Sequence, residues 1–184
     1  MIREIVKYGD PVLRTKGKRL GTVNDEIRAL AADMLETMYE ANGVGLAAQQ
    51  VGRALQLTVI DVGDAENRPS RMWLGGEEVD PNEHMPLILI NPELQLDDEV
   101  EIGTEGCLSF PEITAEIPRA VKVKVKAQDL NGNRIDFEAA GLLGRAVQHE
   151  TDHLNGILFI DRMSSATKAS LAGKLKRLAA ASKE

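Results

Sequence analysis

Gln148-His-Glu-Thr-Asp-His-Leu154 ends a run, from about Ala140 to Leu154, whose apolar residues recur at helical spacing. On a helix, residues four apart lie on one face, so His149 and His153 can bind one metal ion. Glu150 lies beside that ion, where it can take a proton from a water molecule and later release it. The stretch therefore predicts a metal-binding helix.

One arc of this helix carries the motif together with apolar side chains. A helical wheel places on that arc Leu142, Ala146, His149, Glu150 and His153, flanked by Leu143, Val147 and Leu154. We expect this face to point inward, where the exclusion of water strengthens electrostatic interactions. Gly156 is expected to end the helix.

Two histidines leave a tetrahedral ion one protein ligand short, because catalytic sites commonly use three and keep one position for water. The segment Leu154–Asp161 after the motif has no third histidine or glutamate and offers only Asp161, a weak candidate. Upstream, Glu105-Gly-Cys-Leu-Ser-Phe-Pro111 offers Cys107, the single cysteine of the chain. A lone cysteine is commonly a buried, inert thiol. On the residues alone, the identity of the third ligand stays open.

A second helix is indicated earlier in the chain. The segment Thr22–Asp25 reads as a capping box, and Gly43 as a C-terminal stop. Between them, apolar residues recur at helical spacing: Ile27, Leu30, Met34, Leu35 and Met38. This helix is expected to bury one face. Residues Ser165 to Lys183, rich in Ala, Leu and Lys, indicate a final helix.

Strands are indicated by short apolar or alternating runs. These runs are Leu55–Val62, Leu87–Ile90, and Val121–Lys126, whose valines should face inward and whose lysines should face solvent. The turn Asn131–Asn133 should pair Arg134–Phe137 back as a hairpin. The polar residues 63–86 are expected to form a surface excursion and the least ordered part.

Helices and strands do not alternate regularly, which favours an α+β fold. We expect small antiparallel or mixed sheets packed around a central metal-binding helix, with a C-terminal helix. Residues 1–184 are expected to form one domain, with residues 163–184 as a helical tail.

Composition narrows the class of protein. The formal net charge of −7 argues against a general nucleic-acid binder, and no specific DNA partner is expected. No stretch approaches the roughly 20 apolar residues of a membrane span, and MIREIVKYGDPVLR lacks the apolar run of a signal peptide. One cysteine cannot form an intramolecular disulfide and favours a reducing cytosol. We expect a cytoplasmic monomer from a bacterium.

Three segments occur in a fixed order: Gly43-Val-Gly-Leu-Ala-Ala-Gln-Gln50, Glu105-Gly-Cys-Leu-Ser109 and Gln148-His-Glu-Thr-Asp-His-Leu154. They resemble the three signature motifs of the peptide deformylase family, and the resemblance extends over nearly the whole chain. The main difference from the family is the long polar stretch at residues 63–86. The resemblance implies an enzyme that removes the formyl group from the N-terminal formyl-methionine of nascent polypeptides and releases formate.

The resemblance also implies roles for particular residues. The metal ligands would be Cys107, His149 and His153, holding one divalent ion per chain. Fe(II) is expected, and zinc, nickel or cobalt could occupy the site in purified protein. Glu150 would move the proton, while the Gln50 side-chain amide and the Leu108 backbone N–H would stabilise the oxyanion.

Substrate contacts follow from the same resemblance. The residues around Gly45 would pair with the main chain of the substrate, and Gly106 would also contact the substrate. The methionine side chain would enter an apolar pocket formed by Val44, Leu142 and Ala146. In some members of the family a C-terminal helix contacts the ribosome. The tail of this chain carries cations that either contact RNA or are simply solvated: Lys168, Lys174, Lys176, Arg177 and Lys183.

Two alternative functions share the His-Glu-x-x-His pattern or its metal site. A metalloendopeptidase would need a further carboxylate or histidine ligand and would cleave internal peptide bonds. A catalytically inactive metal-binding interaction module would need neither Gln50 nor Glu150. The Cys107 segment argues against the first alternative, and the presence of both Gln50 and Glu150 argues against the second.

Overall fold

The computed structural model describes residues 1–63, 65 and 67–182. The described residues contain three α-helices: α1 Asp25–Glu40, α2 Gly141–Leu154 and α3 Ser165–Ala181. The strands are β1 Gly45–Ala47, β2 Leu57–Ile60, β3 Ser70–Leu74, β4 Glu77–Val79, β5 Leu87–Leu96, β6 Val100–Cys107, β7 Phe110–Ala120, β8 Lys122–Gln128 and β9 Arg134–Ala140.

Seven strands form one sheet in the order β1-β2-β5-β8-β9-β3-β4, and every neighbouring pair is antiparallel. Strands β6 and β7 form a separate antiparallel hairpin. Helix α2 packs between the sheet and this hairpin. The predicted α+β fold, with antiparallel sheets around a central helix and a C-terminal helix, is confirmed.

Helix α2 is buried around almost its whole circumference, and not only along the arc that the helical wheel indicated. On one side, Leu143 and Val147 pack into the core of the seven-stranded sheet. On the other side, two polar residues are buried because they bond to the β7 backbone. Gln148 bonds both the N–H and the C=O of Ala120, and Arg145 donates to the Ile117 carbonyl. The helix ends at Leu154, followed as predicted by a glycine with positive φ, Gly156.

Helix α1 starts and stops at residues other than those predicted. The N-cap is Asn24, whose side chain accepts a hydrogen bond from the Ile27 N–H, so the capping box Thr22–Asp25 is wrong. At the other end, Asn42 and not Gly43 adopts the left-handed conformation that follows the helix. The predicted apolar face is buried, with Met34 and Met38 packed near β2.

The hairpin of β8 and β9 forms as predicted, and Val123 and Val125 are buried while Lys124 and Lys126 are exposed. The hairpin of β6 and β7 was not predicted. Its signal was the alternation of Ile113, Ala115 and Ile117, all buried, with exposed polar residues along β7.

Within the polar stretch 63–86, residues 70–74 and 77–79 form β3 and β4 of the sheet, so this part is not the surface excursion that was predicted. Gly75 and Gly76, both with positive φ, connect β3 and β4, and β3 pairs with β9. Met72 of β3 lies in the core opposite Ala139. The stretch is polar because one face of this sheet end meets water. Asp64 and Glu66 lie outside the described residues.

The C-terminal helix is α3, capped by Ser164, whose side chain accepts a hydrogen bond from the Thr167 N–H. Leu175 is buried in a cluster with Leu13 and Phe159, which attaches α3 to the body of the protein. Lys183 of the predicted tail lies outside the described residues. Among the described helices, none is both long and apolar enough to cross a membrane.

Truncating Leu143 to alanine should destabilise the fold by about 2–5 kcal/mol, because its fully buried side chain would leave a cavity between α2 and the sheet. Urea unfolding would measure the loss. The matched control is Leu96→Ala, because Leu96 is 56% exposed and its truncation should cost less than about 1 kcal/mol. Equal losses in the two variants would contradict the placement of α2 as the central helix.

Candidate metal and catalytic site

The turn between β6 and β7 brings Cys107 against α2, beside the two histidines of that helix. One ligand atom from each of Cys107, His149 and His153 lies within 4.8 Å of the others. The Cys107 Sγ lies 3.3 Å from the His153 Nε2. A thiolate and two imidazoles are a donor set that suits a first-row transition metal. The residues therefore form a possible metal site.

Asp161, the other candidate ligand from the sequence, lies elsewhere. It forms an ion pair with Arg14 and accepts a hydrogen bond from the Leu158 N–H. These contacts occupy its carboxylate at the end of a short 3-10 helix, Phe159–Arg162. The structure thus brings together Cys107 and the two histidines without Asp161.

Glu105 supports the first histidine of the site. Its Oε1 lies 2.8 Å from the His149 Nδ1, which leaves the Nε2 of that ring to face Cys107. Arg119 and Arg145 both donate to the same carboxylate. Burial raises the pKa of Glu105, but the hydrogen bonds from His149 and Arg119 outweigh it and hold the pKa well below its ordinary value. No role was predicted for Glu105, although it opens the second motif.

The two imidazoles differ in their electrostatic surroundings. Burial lowers the pKa of His149, but hydrogen bonds to Cys107 and Glu105 raise it well above its ordinary value. Burial and the neighbouring His149 lower the pKa of His153, which is 1% exposed. A histidine ligates metal through a neutral imidazole, so binding of a cation at this site would require His149 to be deprotonated.

Glu150 has the environment of a proton carrier. Its carboxylate is buried, and its Oε1 has no hydrogen-bond partner among the described residues. Burial is the main reason that the pKa of Glu150 rises to about 7. A carboxyl with this pKa can both accept and release a proton near neutral pH.

Gln50 is held with its amide nitrogen toward the site. Its Oε1 accepts a hydrogen bond from the Ala47 N–H, and its Nε2 donates to the Ser109 Oγ at 3.1 Å. The same nitrogen lies 3.6 Å from the Cys107 Sγ. Leu108, the residue after Cys107, lies in the turn beside it. The Gln50 amide nitrogen and the turn that follows Cys107 therefore adjoin the cluster.

A cavity of about 600 Å³ opens onto the cluster. It is lined by all of the predicted site residues except His153, which lies behind it: Val44, Gly45, Gln50, Gly106, Cys107, Leu108, Leu142, Ala146, His149 and Glu150. Ala146 and Leu142 present an apolar surface one and two turns of α2 before His149. Arg145 also lines the cavity, although no local pattern singled it out.

Replacing Cys107 with serine should weaken metal retention at least about 10-fold, because a neutral hydroxyl is a poorer ligand for these ions than a thiolate. The loss of metal to a chelator under reducing conditions would measure the change. Ser109→Ala, two residues away and outside the cluster, is the control. Metal retention unchanged in Cys107→Ser would exclude Cys107 as a ligand.

Comparison with known proteins gives a consistent result. Residues 2–169 match the family model described as polypeptide deformylase. The peptide deformylase of Methylacidiphilum infernorum is 48% identical over 178 residues, which cover 97% of this chain and 93% of that protein. The peptide deformylase of Opitutus terrae is 45% identical, over 97% of this chain and 94% of its own length.

Solved structures agree with the sequence relatives. The crystal structure of peptide deformylase from Thermotoga maritima matches with a TM-score of 0.76 at 41% identity, covering 89% of this chain and 99% of that one. The peptide deformylase from Plasmodium falciparum matches with a TM-score of 0.84 at 32% identity, over 97% of this chain and 96% of that one.

Proposed function

Because this chain belongs to the polypeptide deformylase family, we propose that Cys107, the histidines of α2, Glu150 and Gln50 form its active site. The protein is a metal-dependent amide hydrolase that removes the formyl group from nascent polypeptides. The observation that carries the assignment of residues is the convergence of three ligand atoms beside a buried carboxyl. The alternatives, an endopeptidase and an inactive binding module, find no support in the relatives.

The ligand set in this proposal is Cys107, His149 and His153, with one divalent ion per chain. We expect Fe(II) in the cell, and zinc, nickel or cobalt in purified protein, because affinity and availability compete in deciding which ion binds. The ion would act as a Lewis acid, which makes water more acidic and the formyl carbon more electrophilic.

Glu150 moves the proton in this mechanism. Its carboxylate accepts a proton from the attacking water as the water oxygen bonds to the formyl carbon. The carbonyl oxygen then carries negative charge, and it accepts hydrogen bonds from the Gln50 Nε2 and the Leu108 backbone N–H. Glu150 delivers its proton to the amine nitrogen as the carbon–nitrogen bond breaks. The products are formate and a free amino terminus.

The cavity supplies the contacts that select the substrate. The exposed edge of β1 at Gly45 would pair with the main chain of an extended peptide, opposite Gly106. The methionine side chain would lie on the apolar surface of Val44, Leu142 and Ala146. Formyl is the smallest acyl group, so a tight fit beside the metal would exclude acetyl.

Formate release tests this function. We expect nickel-loaded protein under reducing conditions to release formate from formyl-Met-Ala-Ser, and to leave acetyl-Met-Ala-Ser and internal peptide bonds intact. No formate from protein that holds one metal per chain would overturn the function. Comparable cleavage of the acetyl peptide would contradict only the proposed steric exclusion of acetyl. The proposed hydrolase chemistry would not be affected.

We place the protein in the bacterial cytoplasm as a monomer, in keeping with its bacterial relatives. Helix α3 is the proposed contact with the ribosome, because its exposed face carries four cations in an otherwise acidic protein: Lys168, Lys174, Lys176 and Arg177. Phosphate contacts of this kind weaken with salt.

Replacing these four residues with glutamate should abolish salt-sensitive co-sedimentation with ribosomes and leave formate release unchanged. The matched control reverses four exposed lysines on other surfaces, namely Lys16, Lys18, Lys124 and Lys126. If the two quadruple variants lost co-sedimentation equally, the attraction would be general and not specific to α3.

A further inference from the structure

We propose that Arg145 is a positioning residue of the metal centre, which ties Glu105 to α2 and thereby sets Cys107 against the two histidines. The inference rests on the ligand set proposed above. Arg145 lies four residues before His149, so the two side chains leave α2 on the same face, one turn apart. Both of them contact the carboxylate of Glu105.

The Glu105 carboxylate is saturated with donors. Its Oε1 contacts the His149 Nδ1 at 2.8 Å and the Arg119 Nη2 at 3.0 Å. Its Oε2 accepts from the Arg119 Nε and from the Arg145 Nη1, both at 2.8 Å. All four groups are buried, so each lost hydrogen bond would leave a polar atom without solvent to replace it.

Arg145 and Arg119 hold the Glu105 carboxylate in different ways because they belong to different elements. Arg119 lies on β7, in the same hairpin as Glu105, so its paired hydrogen bonds fix the carboxylate only within that hairpin. Arg145 lies on α2 and adds hydrogen bonds to the Ile117 and Glu101 carbonyls of both hairpin strands. It therefore fastens the hairpin, which carries Cys107, to the helix that carries the histidines.

Another connection between hairpin and helix lies C-terminal to His149, between the two histidines in sequence. There Arg119 donates to Asp152, which Arg162 also binds through two hydrogen bonds. The connection through Arg145 is the N-terminal counterpart, on the side of His149 where the cavity opens. Without it, Gln148 and Arg119 would still join β7 to α2, but among the described residues His149 would be the one direct hydrogen-bond partner of Glu105 on the helix. The Cys107 end of the hairpin could then shift relative to His149.

The lack of a side chain at Gly103 leaves room for the Arg145 guanidinium. A Cβ on Gly103 would lie 2.9 Å from both the Cζ and the Nη2 of Arg145, which is closer than real Cβ contacts allow. The backbone of Gly103 does not need glycine for its φ, because it is not among the positive-φ residues. Alanine at residue 103 should therefore displace the Arg145 side chain without removing its charge.

The test uses the full-length protein loaded with Co(II), with three variants: Arg145→Leu, Arg145→Lys and Gly103→Ala. We expect Arg145→Leu to change the visible absorption of the cobalt site and to release cobalt to a chelator about 10–100-fold faster than wild type. Arg145→Lys should lie between wild type and Arg145→Leu, because an ammonium can restore one hydrogen bond to Glu105. Gly103→Ala should shift both readouts in the same direction.

Gln56→Leu is the matched control for a loss of stability. Gln56 is buried and donates to the Gly17 and Leu154 carbonyls, so the variant loses buried hydrogen bonds without touching Glu105. It should keep the wild-type spectrum and cobalt release rate at a comparable free energy of unfolding.

The proposal fails if folded Arg145→Leu keeps the wild-type spectrum and release rate, or if Gln56→Leu releases cobalt as fast. Should Arg145→Leu not fold, Arg145→Lys and Gly103→Ala decide by the same criteria. Formate release by the wild type separates this outcome from a failure of the proposed function, because it does not depend on the role of Arg145.

Discussion

Glu150→Gln is expected to lower kcat for formate release from formyl-Met-Ala-Ser by about 10³-fold or more. Glutamine has the shape of glutamate, so the fold and the metal content should stay as in the wild type. Its amide cannot take a proton from water at neutral pH or deliver one to the leaving amine. Both proton transfers of the reaction are therefore lost with one substitution.

The position of Glu150 distinguishes it from Glu105, the carboxylate that contacts His149. Its buried carboxyl lies beside Gly45 at the end of the cavity, and burial holds its pKa at about 7. The nearest acidic neighbour on the other side of His149, Glu105, is bound by two arginines and has its pKa shifted the opposite way. The two carboxylates thus have separate tasks, one to move a proton and one to hold a ligand.

Steady-state kinetics and metal analysis on the same preparation would measure the effect. Glu40→Gln, at the exposed end of α1, is the control for a change of net charge and should keep the wild-type kcat. A Glu150→Gln protein that holds one metal per chain and retains more than about a tenth of the wild-type kcat would remove Glu150 from the proton transfers.

Local spacing was enough to predict the central features of the site. The i, i+4 histidines, the offset Glu150 and the Gly156 stop depend on a single helix, and α2 has them where the sequence indicated. The three motifs, taken as a family resemblance, also gave Gln50 and Cys107. In the structure these two side chains lie 3.6 Å apart although 57 residues separate them.

Features that depend on tertiary hydrogen bonds were missed. Arg145 and Gln148 are polar, so the periodicity of apolar residues does not predict them in the interior. Both are buried because the β7 backbone supplies their hydrogen-bond partners. The ion pairs of Glu105 join residues 14 and 40 positions apart, which no local pattern records. The same reasoning applies to β3, whose burial depends on pairing with β9, more than 60 residues later.

Gly45→Ala is expected to lower kcat/KM for the same peptide by about 100-fold. A Cβ on Gly45 would lie 2.5 Å from the Glu150 Oε2 and 2.9 Å from its Cδ, so either the carboxylate or β1 must move. A displacement of about 1 Å at a reacting group can cost about 10² in rate. The backbone φ of Gly45 is not positive, so the expected loss comes from this contact and not from backbone strain.

The control for Gly45→Ala is Gly21→Ala, because Gly21 has no positive φ and a Cβ there would meet no described atom within 4 Å. It should keep kcat/KM within about twofold, as expected of a surface substitution without a structural role. A Gly45→Ala enzyme as active as Gly21→Ala would show that Glu150 has room to move without loss of function.

A double-mutant cycle decides how Gly45→Ala acts. If the alanine works by displacing the Glu150 carboxylate, then Glu150→Gln has already removed the group on which it acts. The double variant should therefore be nearly as active as Glu150→Gln alone, with the two losses far from additive. Fully additive losses would mean that Gly45 contributes independently of Glu150, through the main-chain pairing of the substrate with β1, and would contradict the steric explanation.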